Sequence, residues 1–275
     1  MKIKYVNLEV LNKKENVICD TMIWYHFGEG TINRTLVNEY YFIGTSINAF
    51  ELYSSENILY HYPLFRRAVK AFNSNSCAII NMDPFDYMLS QNTIESSLVY
   101  DLGSSVLEAL SKYIQTDLSI PLQDNIVRNI IAQEIQEVNE PALNFVNEII
   151  ENINDLRVKY AGSKNEINAF KLSNSIESCK RMFIKVFESR HFDFSNFDIN
   201  NCELFIKMFD LFIRTLIIDK GLKIEINDIY DLTNMAFVDR NSKYLTCENK
   251  WKDFAKRINL YDKYFLDDSK FIIKK

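Results

Sequence analysis

The sequence predicts an α/β fold with a central parallel sheet and a long helical insertion. Three observations carry that expectation. Short apolar runs suited to buried strands lie towards the two ends of the chain, while the stretch from about 93 to 190 holds only helical periodicities. Only 6 Gly and 4 Pro occur in 275 residues, too few for an all-β fold built on many tight turns. Apolar residues make up 47% of the chain and charged ones 25%, the balance of a globular protein with a sizeable core.

In chain order, "NVICDTMIWY" reads as a buried strand ending at Asp20. A second strand covers residues 41–44, and a helix starts near Ser46 as N-cap and runs through Glu51. "ENILYHYPLFRRAVKAF" is helical around or after Pro63, and "CAII" (77–80) is a third short strand. Leu98, Leu102, Val106, Leu107 and Leu110 then recur at helical spacing. Two further helices each open on a proline, Pro121 and Pro141, a residue tolerated in a first turn. Another helical pattern fills 166–190. The most apolar stretch, 203–219, is broken by Lys207, Asp210 and Arg214 and so reads as a core helix rather than a membrane span. "KYLTC" is the last strand and "NKWKDFAKRI" the closing helix. No internal repeat or low-complexity segment is present.

Composition excludes several classes. The net charge of −5 lacks the broad basic footprint of many nucleic-acid binders, so phosphate contacts would come from a local patch. Five cysteines, Cys19, Cys77, Cys179, Cys202 and Cys247, are odd in number and widely spaced, which fits neither a disulfide framework nor a zinc site. Lone cysteines in apolar runs behave as small buried hydrophobes, and a reducing cytoplasm is their natural compartment. The N-terminal "MKIKYVNLEVLNKKENV" lacks the apolar core of a signal peptide. His26, His61 and His191 have no Cys or His at ligand spacing and read as packing or surface residues. Asp83 and Asp86 flank Pro84 as turn and cap residues.

Four acids stand out by position. Asp20 ends the first strand, Glu51 follows the second by one to two helical turns, Asp231 opens the helix before the last strand, and Glu248 lies just past that strand. Ligands of open α/β folds bind beyond the C-terminal ends of parallel strands, so these acids can share one rim. Converging carboxylates repel and raise each other's pKa unless a cation relieves them. Mg²⁺ or Mn²⁺ takes oxygen ligands and keeps waters for phosphate oxygens. Asp228 is the companion of Asp231, either as a further metal ligand or as the helix N-cap. Arg240, Lys243, Lys250, Lys252, Lys256 and Arg257 cluster in sequence around the fourth acid and supply cations for a phosphate backbone; Arg66 and Arg67 are further candidates.

"VICDTMIWY", "GTSINAFEL" and "DIYDLTNMAFVDRNSKYLTCENKW" together resemble the signature regions of PIN-domain proteins, metal-dependent nucleases that act mostly on RNA. The resemblance aligns Asp20, Glu51 and Asp231 with the first three family acids and Thr246 with the family's hydroxyl. Glu248 stands where the family has Asp, which moves the carboxylate by roughly 1.5 Å. It implies a three-layer α/β/α domain from residues 1–60 and 200–275, with 61–199 as a helical insertion or lobe. It also implies phosphodiester hydrolysis leaving a 5′-phosphate. Asp20, Glu51, Asp231 and Glu248 would be the catalytic acids, with Asp20, Asp228, Asp231 and Glu248 holding the metal. Arg240, Lys243 and Lys250 would hold single-stranded RNA. The alternative is a non-catalytic PIN-like module whose helical middle binds nucleic acid, a protein partner or a second copy of the chain. No membrane partner is expected.

Overall fold

The computed structural model describes residues 14–91, 104–116, 118–119, 121–159 and 198–273. The extended runs at the two chain ends meet in one sheet. Its strands are β1 (Glu15–Cys19), β2 (Tyr40–Thr45), β3 (Ala78–Ile80) and β4 (Ser242–Leu245), all parallel, in the order β3-β2-β1-β4. β1 is central: Ile18 lies opposite Ile43 of β2 and Tyr244 of β4. Thus the first and last strands are neighbours, and their C-terminal ends, with Asp20 and Thr246 just beyond, lie on one rim.

Both faces of this sheet are covered, which is why its strands read as continuous apolar runs. Val17, Cys19, Phe42 and Leu245 point into one core. Ile18, Ile43, Ile80 and Tyr244, the alternate positions, point into the other. The first core is completed by α1 (Thr21–Glu29), α3 (Ser46–Tyr53), α4 (Asn57–Tyr60), α5 (Tyr62–Asn75) and α7 (Ser104–Gln115), while α2 (Arg34–Val37) follows α1. The second holds α6 (Pro84–Ser90), α9 (Glu203–Ile218), α10 (Ile226–Asn234) and α11 (Asn249–Arg257). The chain ends on α12 (Tyr261–Tyr264) and α13 (Asp268–Phe271). α1 and α5 approach closely because Gly28 has no side chain: a Cβ there would lie 2.7 Å from the Arg67 carbonyl carbon.

The core helix expected over 203–219 is α9. Leu204, Met208, Phe212 and Leu216 are buried at helical spacing, and among the described residues no helix is long and apolar enough to cross a membrane. Three details differ from the sequence reading. The N-cap of α3 is Thr45, not Ser46; Thr45 is extended and exchanges side-chain bonds with Asn48. Pro141 does not start a helix. It lies inside α8 (Asn125–Lys159), one helix of 35 residues spanning about 52 Å. A proline inside a helix ordinarily kinks or breaks it, but Pro141 is on the exposed face and both halves are anchored: Ile131 and Ile135 lie in the first core, Val146, Ile149 and Ile153 in the second. Finally, residues 62–90 of the segment set apart as an insertion supply α5, β3 and α6 to this same sheet and its cores. Cys19, Cys77 and Cys247 are free thiols, and Cys202 is fully buried in the second core. Cys179, His191, Leu98, Leu102 and the helix expected over 166–190 lie outside the described residues.

Candidate active site

The rim is organised by two buried asparagines that the sequence reading did not single out. Asn48, fully buried on α3, uses all its hydrogen-bonding capacity. Its Oδ1 accepts from Trp24 Nε1 at 3.2 Å and from the Thr45 amide at 3.1 Å; its Nδ2 donates to the Cys19 carbonyl at 3.0 Å and to Thr21 Oγ1 at 3.1 Å. Asn234, at the end of α10, donates to the same Cys19 carbonyl at 3.0 Å and accepts from Thr45 Oγ1 at 2.7 Å. The ends of β1 and β2 are thereby tied to each other and to α10. The available signal was the T-x-x-N capping pattern in "TSIN"; nothing local distinguished Asn234.

Each inner carboxylate is held by at least one protein donor. Asp20, the N-cap of α1, accepts from Thr246 Oγ1 at 2.6 Å and, weakly, from the Met22 amide at 3.4 Å. Thr21 passes the Asn48 bond onward by donating to Glu51 Oε2. Trp251 Nε1 donates to Asp231 Oδ2 at 2.8 Å. The second oxygens of Glu51 and Asp231 accept no hydrogen bond among the described residues. Thr246 also receives the Glu248 amide at 3.0 Å, so one hydroxyl orients both the first acid and the fourth.

These acids feel one another. Burial raises the Glu51 pKa to about 8, helped by the Asp20 and Glu248 charges and opposed by Thr21. Asp231 is raised well above the usual carboxylate range by burial, then by Asp20, Glu51 and Glu248. Asp20 is raised by burial against the pull of the Thr246 hydroxyl. Glu248 is raised by burial and by Asp20, with Lys250 opposing. Mutual repulsion in a dry setting is the expected state of converged acids without a cation. They do not form a tight cage: among the described residues no three His, Cys, Asp or Glu side chains are grouped closely enough to hold an ion by themselves.

Asp228 takes another role. It is the third residue of α10, whose N-cap is Glu225, and not the N-cap itself. Its Oδ2 accepts from the Glu225 amide at 3.0 Å and its Oδ1 is paired with Lys250, so both oxygens are engaged in capping and an ion pair.

The three cations chosen from sequence part company. Lys250 is at the rim, over the rings of Phe212 at 4.6 Å and Trp251 at 4.7 Å. Arg240 and Lys243 lie before and within β4, at the opposite end of the strand from Thr246. Arg240 pairs with Asp198 at 2.7 Å on the surface, and Lys243 donates to the Lys263 carbonyl at 2.7 Å. Lys252 is buried against Asp268 at 2.7 Å. Sequence proximity to Glu248 misplaced Arg240 and Lys243 because a strand carries its residues about 3.3 Å apart, away from the rim.

No protein-family model, no curated protein and no solved structure matches this chain.

Proposed function

We propose that this chain is a PIN-like metal-dependent ribonuclease of the cytoplasm. In this reading a three-layer α/β/α domain carries Asp20, Glu51, Asp231 and Glu248 as its catalytic acids. The observation that supports it most is the meeting of these acids from four separate segments on one strand-end rim. Among the described residues no Lys or Arg is paired with Asp20, Glu51 or Asp231.

The donor set fits a hard divalent cation: every candidate ligand is an oxygen, and a site that supplies few carboxylates at a time suits Mg²⁺ or Mn²⁺, which retain waters. Bound there, such an ion would neutralise the acids, activate a water and stabilise charge on the phosphoryl oxygens. The chain's own residues prepare the site. Thr246 orients Asp20, Trp251 orients Asp231, and the Asn48–Thr21 relay orients Glu51. Lys250 offers an ammonium beside the acids for a substrate phosphate. Asp228 is left as the partner that positions Lys250.

The test is cleavage of single-stranded RNA and DNA with Mn²⁺, Mg²⁺ or chelator, with Asp20→Asn in parallel. Metal-dependent RNA cleavage that the variant loses is the expected result; metal-dependent cleavage that survives Asp20→Asn rules this site out. The loose grouping of the acids favours one second reading, a non-catalytic PIN-like module that binds nucleic acid or protein. Tight RNA binding with no cleavage under any metal would support that module.

A further inference from the structure

The long helix α8 has one continuous inward stripe. Ile131, Ile135, Val146, Ile149 and Ile153 are buried on it, and their spacing of three and four passes through positions 139 and 142. Ala142 packs against the second core. Position 139 is asparagine, the one polar residue on the stripe, and it falls where α8 leaves the first core for the second.

A polar amide on an inward face costs stability unless it is hydrogen-bonded. Asn139 is bonded to two helices of the rim. Its Oδ1 accepts from the Tyr230 hydroxyl at 3.0 Å, and its Nδ2 donates to the Ser54 carbonyl at 3.5 Å. Tyr230 adjoins Asp231 on α10, and Ser54 caps α3 three residues after Glu51. A second tie runs alongside: the Tyr53 hydroxyl donates to Glu134 Oε2 at 3.4 Å. The ends of α8 are pinned as well, through Arg128 to the Leu59 carbonyl at 3.0 Å and Arg157 to the Leu216 carbonyl at 3.1 Å. A lone polar residue in an apolar seam is a known device for fixing helix register.

We propose that α8 is a clamp across the acidic rim and that Asn139 is its positioning residue, setting the separation of Glu51 on α3 from Asp231 on α10. The clamp's meaning for catalysis rests on the nuclease reading; its existence does not.

Asn139→Leu separates positioning from packing, because leucine continues the apolar stripe. If Asn139 only packs, the variant keeps or gains thermal stability and changes nothing else. If it clamps, amide hydrogen exchange speeds up in the last turn of α3 and around Tyr230 of α10, while the sheet stays protected. Mn²⁺ affinity, read by calorimetry, falls about tenfold, the size of loss seen when a group supporting a metal ligand is removed. Tyr230→Phe deletes the same bond from the other side without touching α8. It should reproduce the α3 and α10 exchange changes, and the double variant should add little to either single one. Unchanged exchange at α3 and α10 in both variants overturns the clamp. A wild-type protein that binds no Mn²⁺ sinks the nuclease reading instead, and the exchange measurement still decides the clamp.

Discussion

Two groups of acids in this molecule have opposite surroundings. Glu203, at the start of α9, is pushed up by partial burial, but hydrogen bonds from Lys207, Lys263 and Tyr264 outweigh this and hold it at about 2. At the rim, burial and like charge dominate, and Glu51 stands at about 8. A carboxylate placed for stability is given cations. Acids buried together without them lower stability in the charged form, and such strain persists where a ligand relieves it.

Exchanging the charge in each group gives the largest contrast. Asp20→Asn is expected to reduce metal-dependent cleavage at least about a hundredfold, beyond the loss of a supporting group. In chelator at pH 8 it should raise the melting temperature, because it removes one member of a repelling set. Glu203→Gln should do the reverse, leaving cleavage unaltered and costing about 1–2 kcal/mol from its charge-assisted bonds. Thermal melts and cleavage rates of the two variants, side by side, check the contrast. A lower melting temperature for Asp20→Asn in chelator would mean that the rim acids stabilise the fold as Glu203 does.

The pH dependence sharpens the same comparison. Glu51 keeps its proton in the folded state up to about 8, above the ordinary glutamate value. Between those values the folded state holds more protons than the unfolded one, so metal-free stability falls as pH rises through that window. Glu203 contributes in the other direction: its stabilisation is present above the ordinary glutamate range and is lost as pH falls towards about 2. A bound divalent ion must displace the rim protons. Mn²⁺ affinity should therefore rise with pH up to about 8, at most about tenfold per unit for each proton released. Calorimetry in buffers of different ionisation enthalpy would count those protons, and an affinity flat from pH 6 to 8 would detach the ion from Glu51.

Much of the sheet was legible because parallel strands buried on both faces are apolar runs, and Val17, Ile18, Phe42, Ile43, Tyr244 and Leu245 spell them out. The positions of Asp20 and Glu248 followed from where those runs end. The supporting network was less visible: Asn234 and Trp251 are separated from their partners by long stretches of sequence, and only the fold brings them together. α8 was misread as two helices because Pro141 is a local signal, while the two cores that hold the helix through it are tertiary. Asp228 and Asp231 look equivalent as letters. One helical turn separates a capping carboxylate paired with Lys250 from a buried one bonded to Trp251.

That distinction predicts a smaller effect at Trp251. Its indole donates to Asp231 Oδ2 while its ring is buried against Phe212 and Phe254. Trp251→Phe keeps most of the packing and deletes the donor. Mn²⁺ binding should weaken about tenfold, as for other supporting groups of a metal site. Trp251→Leu should cost more stability and weaken Mn²⁺ by the same factor. If the two variants lose Mn²⁺ affinity in proportion to lost stability, the indole matters only as packing.

The smallest effect should come from the far end of β4. Arg240 and Lys250 are both cations near β4 in sequence, yet Lys250 sits beside Glu248 and Asp228 while Arg240 makes an exposed pair with Asp198. Exposed pairs contribute about 0–1 kcal/mol, so Arg240→Ala should shift stability by no more than that and leave RNA affinity and its salt dependence unchanged. Lys250→Ala should weaken RNA binding and reduce the slope of log affinity against log salt by about one, the mark of one lost phosphate contact. Fluorescence anisotropy of a labelled single strand across a salt series measures both. An equal loss of slope for Arg240→Ala would extend the nucleic-acid path to the opposite end of the sheet and remove the contrast between its two ends.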